Sequence, residues 1–355
     1  MFEIDFIIVT RNQLEYTKRC LDSILKNIFQ NSKLIIVDNN SDIMTLDYLR
    51  KLSRQLHAAK KIEIIENDRN LGYAHALNQG LASSHSAYVF LCNNDIEFYP
   101  NAVTEMISVA SAQEMIGLVN PNSNEFGLKK YDGEQLKRWQ GTWIERCHTS
   151  GFCVLVKRKV LDQIKGIDLD FSPAYYEDMD FAERAKQHGF LCVVARGAYV
   201  HHFGTKTFLP KEKQAAWDKN KALFIKKWGG TKWFAFLGSD ALVNDEVLRK
   251  SVIQHLLQVA RSHIAIIHIF IPPAALESFQ NIHDSFRVQV VPAWAAEWFL
   301  LFKTWRGRKK KPISHILTDT PQMQLKLRRM KKLVQTPVEI LEEFVSASSY
   351  KAKSV

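Results

Sequence analysis

Cysteine is scarce and follows no ligand pattern. The five residues, Cys20, Cys92, Cys147, Cys153 and Cys192, include no Cys-x-x-Cys pair, which argues against both a disulfide framework and a zinc site. The thiols are expected to be buried in a reducing compartment. Long apolar runs are missing as well. The longest, Ile264 to Leu276, is interrupted by His268 and Pro272-Pro273 and falls short of the roughly 20 helical residues a bilayer requires. Glu3 and Asp5 precede an apolar run too short for a signal-peptide core, so no export signal is read there and a cytoplasmic location is expected. Nucleic-acid binding is also unsupported, because there is no helix-turn-helix, zinc ligand set or aromatic sheet signature. What the 355 residues do offer is a 46% hydrophobic fraction, enough for one large or two modest domains with a real core.

The formal charge is +11, and its distribution matters more than its size. Met1 to Ile225 carries 28 basic and 27 acidic residues, whereas Lys226 to Val355 carries 20 and 10. An anionic partner attracted by a general field therefore belongs to the last third of the chain.

Along the first hundred residues, short β-rich apolar runs alternate with helical patterns. Phe6 to Val9, Leu34 to Val37, Ile62 to Ile65 and Tyr88 to Leu91 read as buried strands. A helix through Leu14, Leu21 and Leu25, capped by Asn12, follows the first. This alternation predicts a mostly parallel α/β sheet with helices on both faces. Ligands of such sheets bind beyond the carboxyl ends of the strands, where Thr10-Arg-Asn12, Asp38-Asn-Asn40 and Asn93-Asn-Asp95 lie. Later, Tyr175-Tyr-Glu-Asp-Met-Asp180 leads into a helix that stops at Gly189, and Leu191 to Val194, a turn at Arg196-Gly197, then His201-His202 follow. Beyond Trp228-Gly-Gly230 the pattern restarts. Strands are predicted near Phe234, His263 to Ile271, Phe286 to Val291 and Ser314 to Leu317, with helices over Val247 to Ala260, Pro273 to His283 and Ala293 to Arg306. The chain thus divides into residues 1–230 and a smaller α/β unit with a helical tail, 231–355.

Several strand-end groups can carry chemistry. Asp95 flanked by Asn94 supplies hard oxygen ligands suited to Mg²⁺ or Mn²⁺, although an Asn/Asp turn ending a strand would look the same. Asp38 can accept from a nucleotide base or a ribose, with Thr10 and Asn12 offering donors to the same ligand. Of Glu177 and Asp178, one carboxylate suits a general base, and Glu177 equally suits a helix cap favoured by the macrodipole. Adjacent histidines point to opposite faces of a strand, so one of His201 and His202 reaches the site, where a neutral imidazole can complete a metal shell.

Six segments in order, from Phe6-Ile-Ile-Val-Thr-Arg-Asn12 and Leu34-Ile-Ile-Val-Asp-Asn-Asn-Ser41, through Asn70-Leu-Gly72 and Phe90-Leu-Cys-Asn-Asn-Asp95, to Gly166-Ile-Asp168 and Tyr176-Glu-Asp-Met-Asp-Phe-Ala-Glu-Arg184, carry a resemblance. Together they resemble the motifs of family 2 glycosyltransferases of the GT-A fold, over residues 1–230. The resemblance implies an inverting hexosyltransferase-like enzyme (EC 2.4) working on a nucleotide-diphosphate sugar, a UDP-sugar or a dTDP-sugar, with a divalent cofactor, Mn²⁺ or Mg²⁺. It implies that Asp38, Thr10 and Asn12 hold the nucleoside and that Asn94 and Asp95 stand at the family's Asp-x-Asp, with Asp95 on the metal. It further makes Asp178, paired with Glu177, the catalytic base and His202 a metal or phosphate ligand. Amides replace carboxylates at Asn93 and Asn94, so metal affinity is expected to rest on Asp95.

The acceptor is expected to be a glycan or a lipid-linked precursor of cell-surface polysaccharide, with Trp139, Trp143 and Trp217 as candidate stacking faces and Gly151 allowing close backbone approach. In the basic third, Trp294 to Lys311 combines aromatics with a cationic run that suits an anionic bilayer surface, which would make the enzyme peripheral on the inner face of the membrane. A competing reading is a non-catalytic nucleotide-sugar or glycan-binding module with a membrane or partner adaptor.

Overall fold

A computed structural model describes residues 3–27, 32–56, 61–204, 210–291, 312–329 and 336–352. The chain forms two compact units, Met1–Trp228 and Gly229–Val355.

The first unit opens with three β-strand and α-helix pairs: β1 (Ile4–Thr10) and α1 (Leu14–Asn27), β2 (Ser32–Asp38) and α2 (Ile43–Leu56), β3 (Lys61–Glu66) and α3 (Tyr73–Ala82). Next come β4 (Tyr88–Asn93), β5 (Ile96–Phe98), α4 (Ala102–Ala112), β6 (Ile116–Asn122), α5 (Gly133–Arg138), β7 (Trp143–Arg146) and β8 (Cys153–Lys157). The unit closes with α6 (Arg158–Ile164), α7 (Glu177–Gln187), β9 (Leu191–His202) and α8 (Pro210–Trp228). The sheet order is β3-β2-β1-β4-β8-β6-β9-β5, with β7 also on β9. Strands β1 to β4 are mutually parallel, while β8 and β5 run antiparallel to their neighbours.

Every residue of β1 is buried, as expected of a central strand covered on both faces. Phe6, Ile8 and Phe90 enter one core layer, and Ile7, Val9 and Leu91 enter the opposite one. Helix α3 approaches β1 closely at Gly80, where an added Cβ would stand 2.3 Å from Ile7. At the amino end of the sheet, buried Asp5 accepts from the Ser84 and Ser86 hydroxyls and from the His85 and Ser86 amides. All five cysteines are buried, and no disulfide joins them.

Three expectations need correction. Asn12 does not cap α1: its backbone is left-handed (φ 56°) and its Oδ1 accepts from Asp42 N–H, just ahead of α2. Arg196-Gly197 is not a turn, because β9 runs unbroken through it. Its register against β6 shifts there, from Pro121 opposite Ala195 to Asn122 opposite Tyr199.

The third correction falls in the second unit, a five-stranded, all-parallel sheet ordered β12-β11-β10-β13-β14. Its elements are β10 (Lys232–Leu237), α9 (Ala241–Asn244), α10 (Glu246–Ser262), β11 (Ala265–Ile271), α11 (Leu276–Phe279), β12 (Phe286–Val290), β13 (Ile313–Thr318), α12 (Pro321–Arg329), β14 (Val338–Ile340) and α13 (Leu341–Ala352). Pro273 to His283 is not one helix: a 3-10 turn at Pro273–Ala275 leads into the four residues of α11, and Asn281 is already left-handed at φ 54°. One core layer gathers Phe234, Phe236, Leu256, Ile267 and Ile269, and the other Ala235, Leu237, Phe270 and Ile316. The expected helix Ala293 to Arg306 and the segment Trp294 to Lys311 lie outside the described residues. No helix among the described residues is long and apolar enough to cross a membrane.

Candidate active site

The carboxyl ends of β1, β2 and β4 bring Thr10, Asp38 and Asn93 to one edge, with Thr10 opposite Asp38 and Val9 opposite Asn93. Asp38 is 1% exposed and takes a hydrogen bond from Ser41 N–H on Oδ2 (3.1 Å). Its Oδ1 and the buried Thr10 Oγ1 have no hydrogen-bond partner among the described residues. Two unpaired buried oxygens at a strand end call for a ligand or water.

Asn39, beside them, is a hub that the motif reading passed over. Its Nδ2 donates to Asn70 Oδ1 (2.8 Å), and its Oδ1 accepts from Leu71 N–H (2.9 Å) and from Asn67. The loop to α3 is thereby fixed against β2, with Gly72 at φ 85°, where a Cβ would meet Ser172 Oγ at 2.9 Å.

Asp95 and His202 come together because β5, which starts at the next residue, pairs antiparallel with β9 and sets Ile96 opposite His202. His202 Nε2 lies 3.3 Å from Asp95 Oδ1. On its other side Nδ1 is 2.8 Å from Glu125 Oε1. The Asn124 amide clamps the His202 backbone, donating to its carbonyl and accepting its N–H. Phe152 stacks on the imidazole at 4.9 Å. Burial works against protonation of His202, but the Asp95 and Glu125 carboxylates outweigh it and hold the imidazole pKa above its ordinary value. Asn94 faces elsewhere: its Nδ2 donates to Thr17 Oγ1 (2.9 Å), at the start of α1.

A divalent cation fits this pair. Asp95 supplies a hard oxygen 3.3 Å from the buried His202 Nε2, and one carboxylate with one imidazole suits Mn²⁺ better than Mg²⁺, which prefers oxygen alone.

The opposite wall holds the acidic pair. Tyr175 and Tyr176 are both left-handed, at φ 76° and 70°, a conformation costing roughly 1 kcal/mol or more per non-glycine residue. Three contacts hold this kink. Asn220 of α8, fully buried, donates to the carbonyls of Phe171, Ala174 and Tyr175. Beyond the kink, α7 opens with Glu177 and Asp178. Asp178 Oδ2 accepts from Gly151 N–H (2.9 Å) and Oδ1 from Met179 N–H (2.8 Å). The backbone approaches Asp178 itself at Gly151, although a Cβ there would stand 3.4 Å from the Asp178 Cβ, an ordinary contact that does not require glycine.

The N-cap residue of α7, Tyr176, makes no side-chain cap, and the buried Oε2 of Glu177 has no hydrogen-bond partner among the described residues. Burial, then the Asp178 charge, pushes Glu177 up to about 8. Burial also raises Asp178, offset in part by its two N–H donors and by His148. Asp180, in the same cluster, is structural: its Oδ2 pairs with Arg184 (2.7 Å) and its Oδ1 with Lys227 and Trp228 Nε1 (2.8 Å each).

One dipeptide links the two walls. Gly151 donates to Asp178 while Phe152 lies on His202, and Tyr73 O–H fixes the Gly151 carbonyl at 3.0 Å. The Asp178 carboxylate and the candidate metal pair therefore both rest against this dipeptide.

The sequence of this region matches a known family model, described as glycosyl transferase family 2, over residues 5–165. That match covers a little under half of the chain. An uncharacterized glycosyltransferase of Haemophilus influenzae is 25% identical to the chain over 113 residues, 32% of this chain and 34% of that protein, so the match spans about a third of the relative's length. The first unit has the GT-A fold. GalNAc-T7, solved with UDP, GalNAc and Mn²⁺, superposes with a TM-score of 0.52 at 13% identity, covering 64% of this chain and 48% of that one. The mannosyltransferase PcManGT from Pyrobaculum calidifontis, solved with GDP-Man and Mn²⁺, gives 0.50 at 13% identity, covering 99% and 87%. The matched region contains Thr10, Asp38 and Asp95 and ends before Glu177, Asp178 and His202.

Proposed function

We propose that the first unit is an inverting glycosyltransferase. It moves a sugar from a nucleoside-diphosphate donor, a UDP-sugar or dTDP-sugar, to a hydroxyl of a glycan or lipid-linked acceptor. The observation that carries the reading is Asp178, a buried carboxylate held by two backbone N–H groups and joined through Gly151-Phe152 to Asp95 and His202.

Thr10 and Asp38, with their unpaired buried oxygens, receive the nucleoside, and Asn12 lies beside them. Asp95 and His202 would hold Mn²⁺ or Mg²⁺ at the diphosphate, with Glu125 orienting the imidazole through Nδ1. A cation there supplies compensation for the negative charge that grows on the leaving group. Asp178 takes the proton of the acceptor hydroxyl. The acceptor oxygen then bonds to the anomeric carbon from the face opposite the diphosphate, and the electrons of the breaking bond leave with the nucleotide. Glu177 keeps its proton at neutral pH because burial opposes its charge, so a second anion does not repel the attacking oxygen.

Two structures of this fold are described with a nucleotide or nucleotide sugar and Mn²⁺, in keeping with such a donor. Location in the cytoplasm, attachment to an anionic membrane surface through Trp294 to Lys311, and a role in cell-surface polysaccharide synthesis belong to the same proposal. The non-catalytic alternative leaves unexplained why Asp178 is kept buried and oriented as a base. The test is nucleotide release from a panel of UDP-, dTDP- and GDP-sugars with Mn²⁺. Release that Asp95→Ala abolishes supports the reading, and binding without release or transfer for every donor contradicts it.

A further inference from the structure

Five tryptophans fall among the described residues, and they differ in what covers them. The Trp139 ring carries the Arg196 guanidinium at 4.3 Å. Trp143 sits on β7 against the core, Trp228 is bonded to Asp180, and Trp233 stacks on His268. Trp217 alone is exposed, at 42%. A large aromatic surface left in water costs free energy that a core position would recover.

Its place makes the exposure informative. Trp217 lies on α8 one turn ahead of Asn220, the residue whose amide holds the 171–175 carbonyls. Its ring meets Tyr176 edge-on at 5.1 Å and Tyr175 at 5.6 Å. Tyr176 in turn packs on Phe224 at 5.3 Å, so the platform is braced from below. Tyr176 immediately precedes Glu177-Asp178, and Asn220 ties α8 to the kink. An acceptor whose hydroxyl reaches Asp178 therefore extends past a rigid aromatic face. Pyranose rings present an apolar C–H face, which matches an exposed indole set edge-on against the Tyr175 and Tyr176 rings.

We propose that Trp217 is an acceptor subsite, seating a sugar ring one removed from the ring whose hydroxyl Asp178 deprotonates. The proposal rests on the transferase reading of the first unit and makes it more specific: the acceptor is a chain of at least two rings. Trp217 touches Tyr176 and not Asp178, so a monosaccharide engaged at the base does not gain from it.

The test uses the full chain and a panel of methyl glycosides offered as monosaccharides and their disaccharides, with binding followed by saturation-transfer NMR in the presence of UDP and Mn²⁺. Disaccharides are expected to bind more tightly than monosaccharides. Trp217→Ala should erase that difference, weakening disaccharide binding about tenfold, while Trp217→Phe, which keeps an aromatic face against Tyr176, should retain most of it. Calorimetric UDP affinity should be equal in all three proteins, showing that the donor side is intact. Trp217→Ala binding disaccharides like the wild type would overturn the subsite, as would a wild type with no preference for a second ring. If the wild type fails to bind nucleotide at all, the transferase reading fails instead.

Discussion

Replacing Asp178 by Asn separates charge from shape at the proposed base. The carboxylate accepts one N–H on each oxygen, from Gly151 and from Met179. An amide keeps the volume but has one oxygen, so its NH₂ must face one of those two donors. Opposing a buried N–H in this way costs about 1–3 kcal/mol of stability, visible as a lower melting temperature in a protein that still folds. The chemical loss is larger. General-base catalysis contributes roughly 10²–10⁴-fold, equivalent to about 3–5 kcal/mol of transition-state stabilisation at 1.36 kcal/mol per tenfold. With a donor that the wild type turns over, nucleotide release followed by a coupled assay should show kcat lower by that factor. The nucleotide affinity, set at the Asp38 wall, should be little changed. A folded Asp178→Asn protein with kcat within tenfold of the wild type would refute the reasoning, because a group that carries the acceptor proton cannot be neutralised so cheaply.

Three further outcomes follow from the same geometry. Glu177 has a raised folded-state pKa, so it contributes stability that is fully present below its unfolded pKa and is lost as pH climbs towards about 8. Glu177→Gln, which imitates the protonated acid, should flatten that decline and be more stable than wild type at pH 8.5 by an amount on the order of a few kcal/mol. Thermal melts from pH 5 to 8.5 decide it, and an unchanged slope counts against the buried neutral acid. Glu125→Ala should weaken Mn²⁺ binding, measured by electron paramagnetic resonance, about 10- to 100-fold, since the Nδ1 partner of His202 is lost; unaltered affinity would remove Glu125 from the site. Asp180→Ala leaves Arg184 and Lys227 without their buried partner and should cost about 3–5 kcal/mol in urea unfolding, against a near-zero change if the cluster were a solvated helix cap.

The strands were legible because a central parallel strand is apolar on both faces and has to read as a continuous run, as Phe6 to Val9 and Leu34 to Val37 do. The same logic pointed to Asp38 and Asp95, which stand where such runs end, whereas Asp178 opens α7 with no strand before it. Arg196-Gly197 misled because glycine after a polar residue resembles a turn. Here Gly197 serves close packing, with a Cβ meeting Glu105 Oε1 at 2.6 Å inside one long strand. The proposed helix from Pro273 to His283 failed for a related reason: after the 3-10 turn only Phe279 reaches the core within α11, too little apolar surface to extend it. Glu125, Asn124 and Asn39 were invisible for a different cause. Each acts through a partner distant in sequence, His202 across 77 residues for Glu125, and loop carboxylates and amides carry no periodic signal. Residues 1–225 are nearly neutral, so an anionic donor would have to be held by local groups, among them the candidate metal pair Asp95 and His202.

Inversion at the anomeric carbon is the central claim, and the configuration of the first product tests it most directly. Proton NMR of the sugar transferred, or released to water, from an α-linked donor should show the β-anomer appearing first, with Asp178→Asn slowing its formation. An α-configured first product would contradict a single displacement assisted by Asp178.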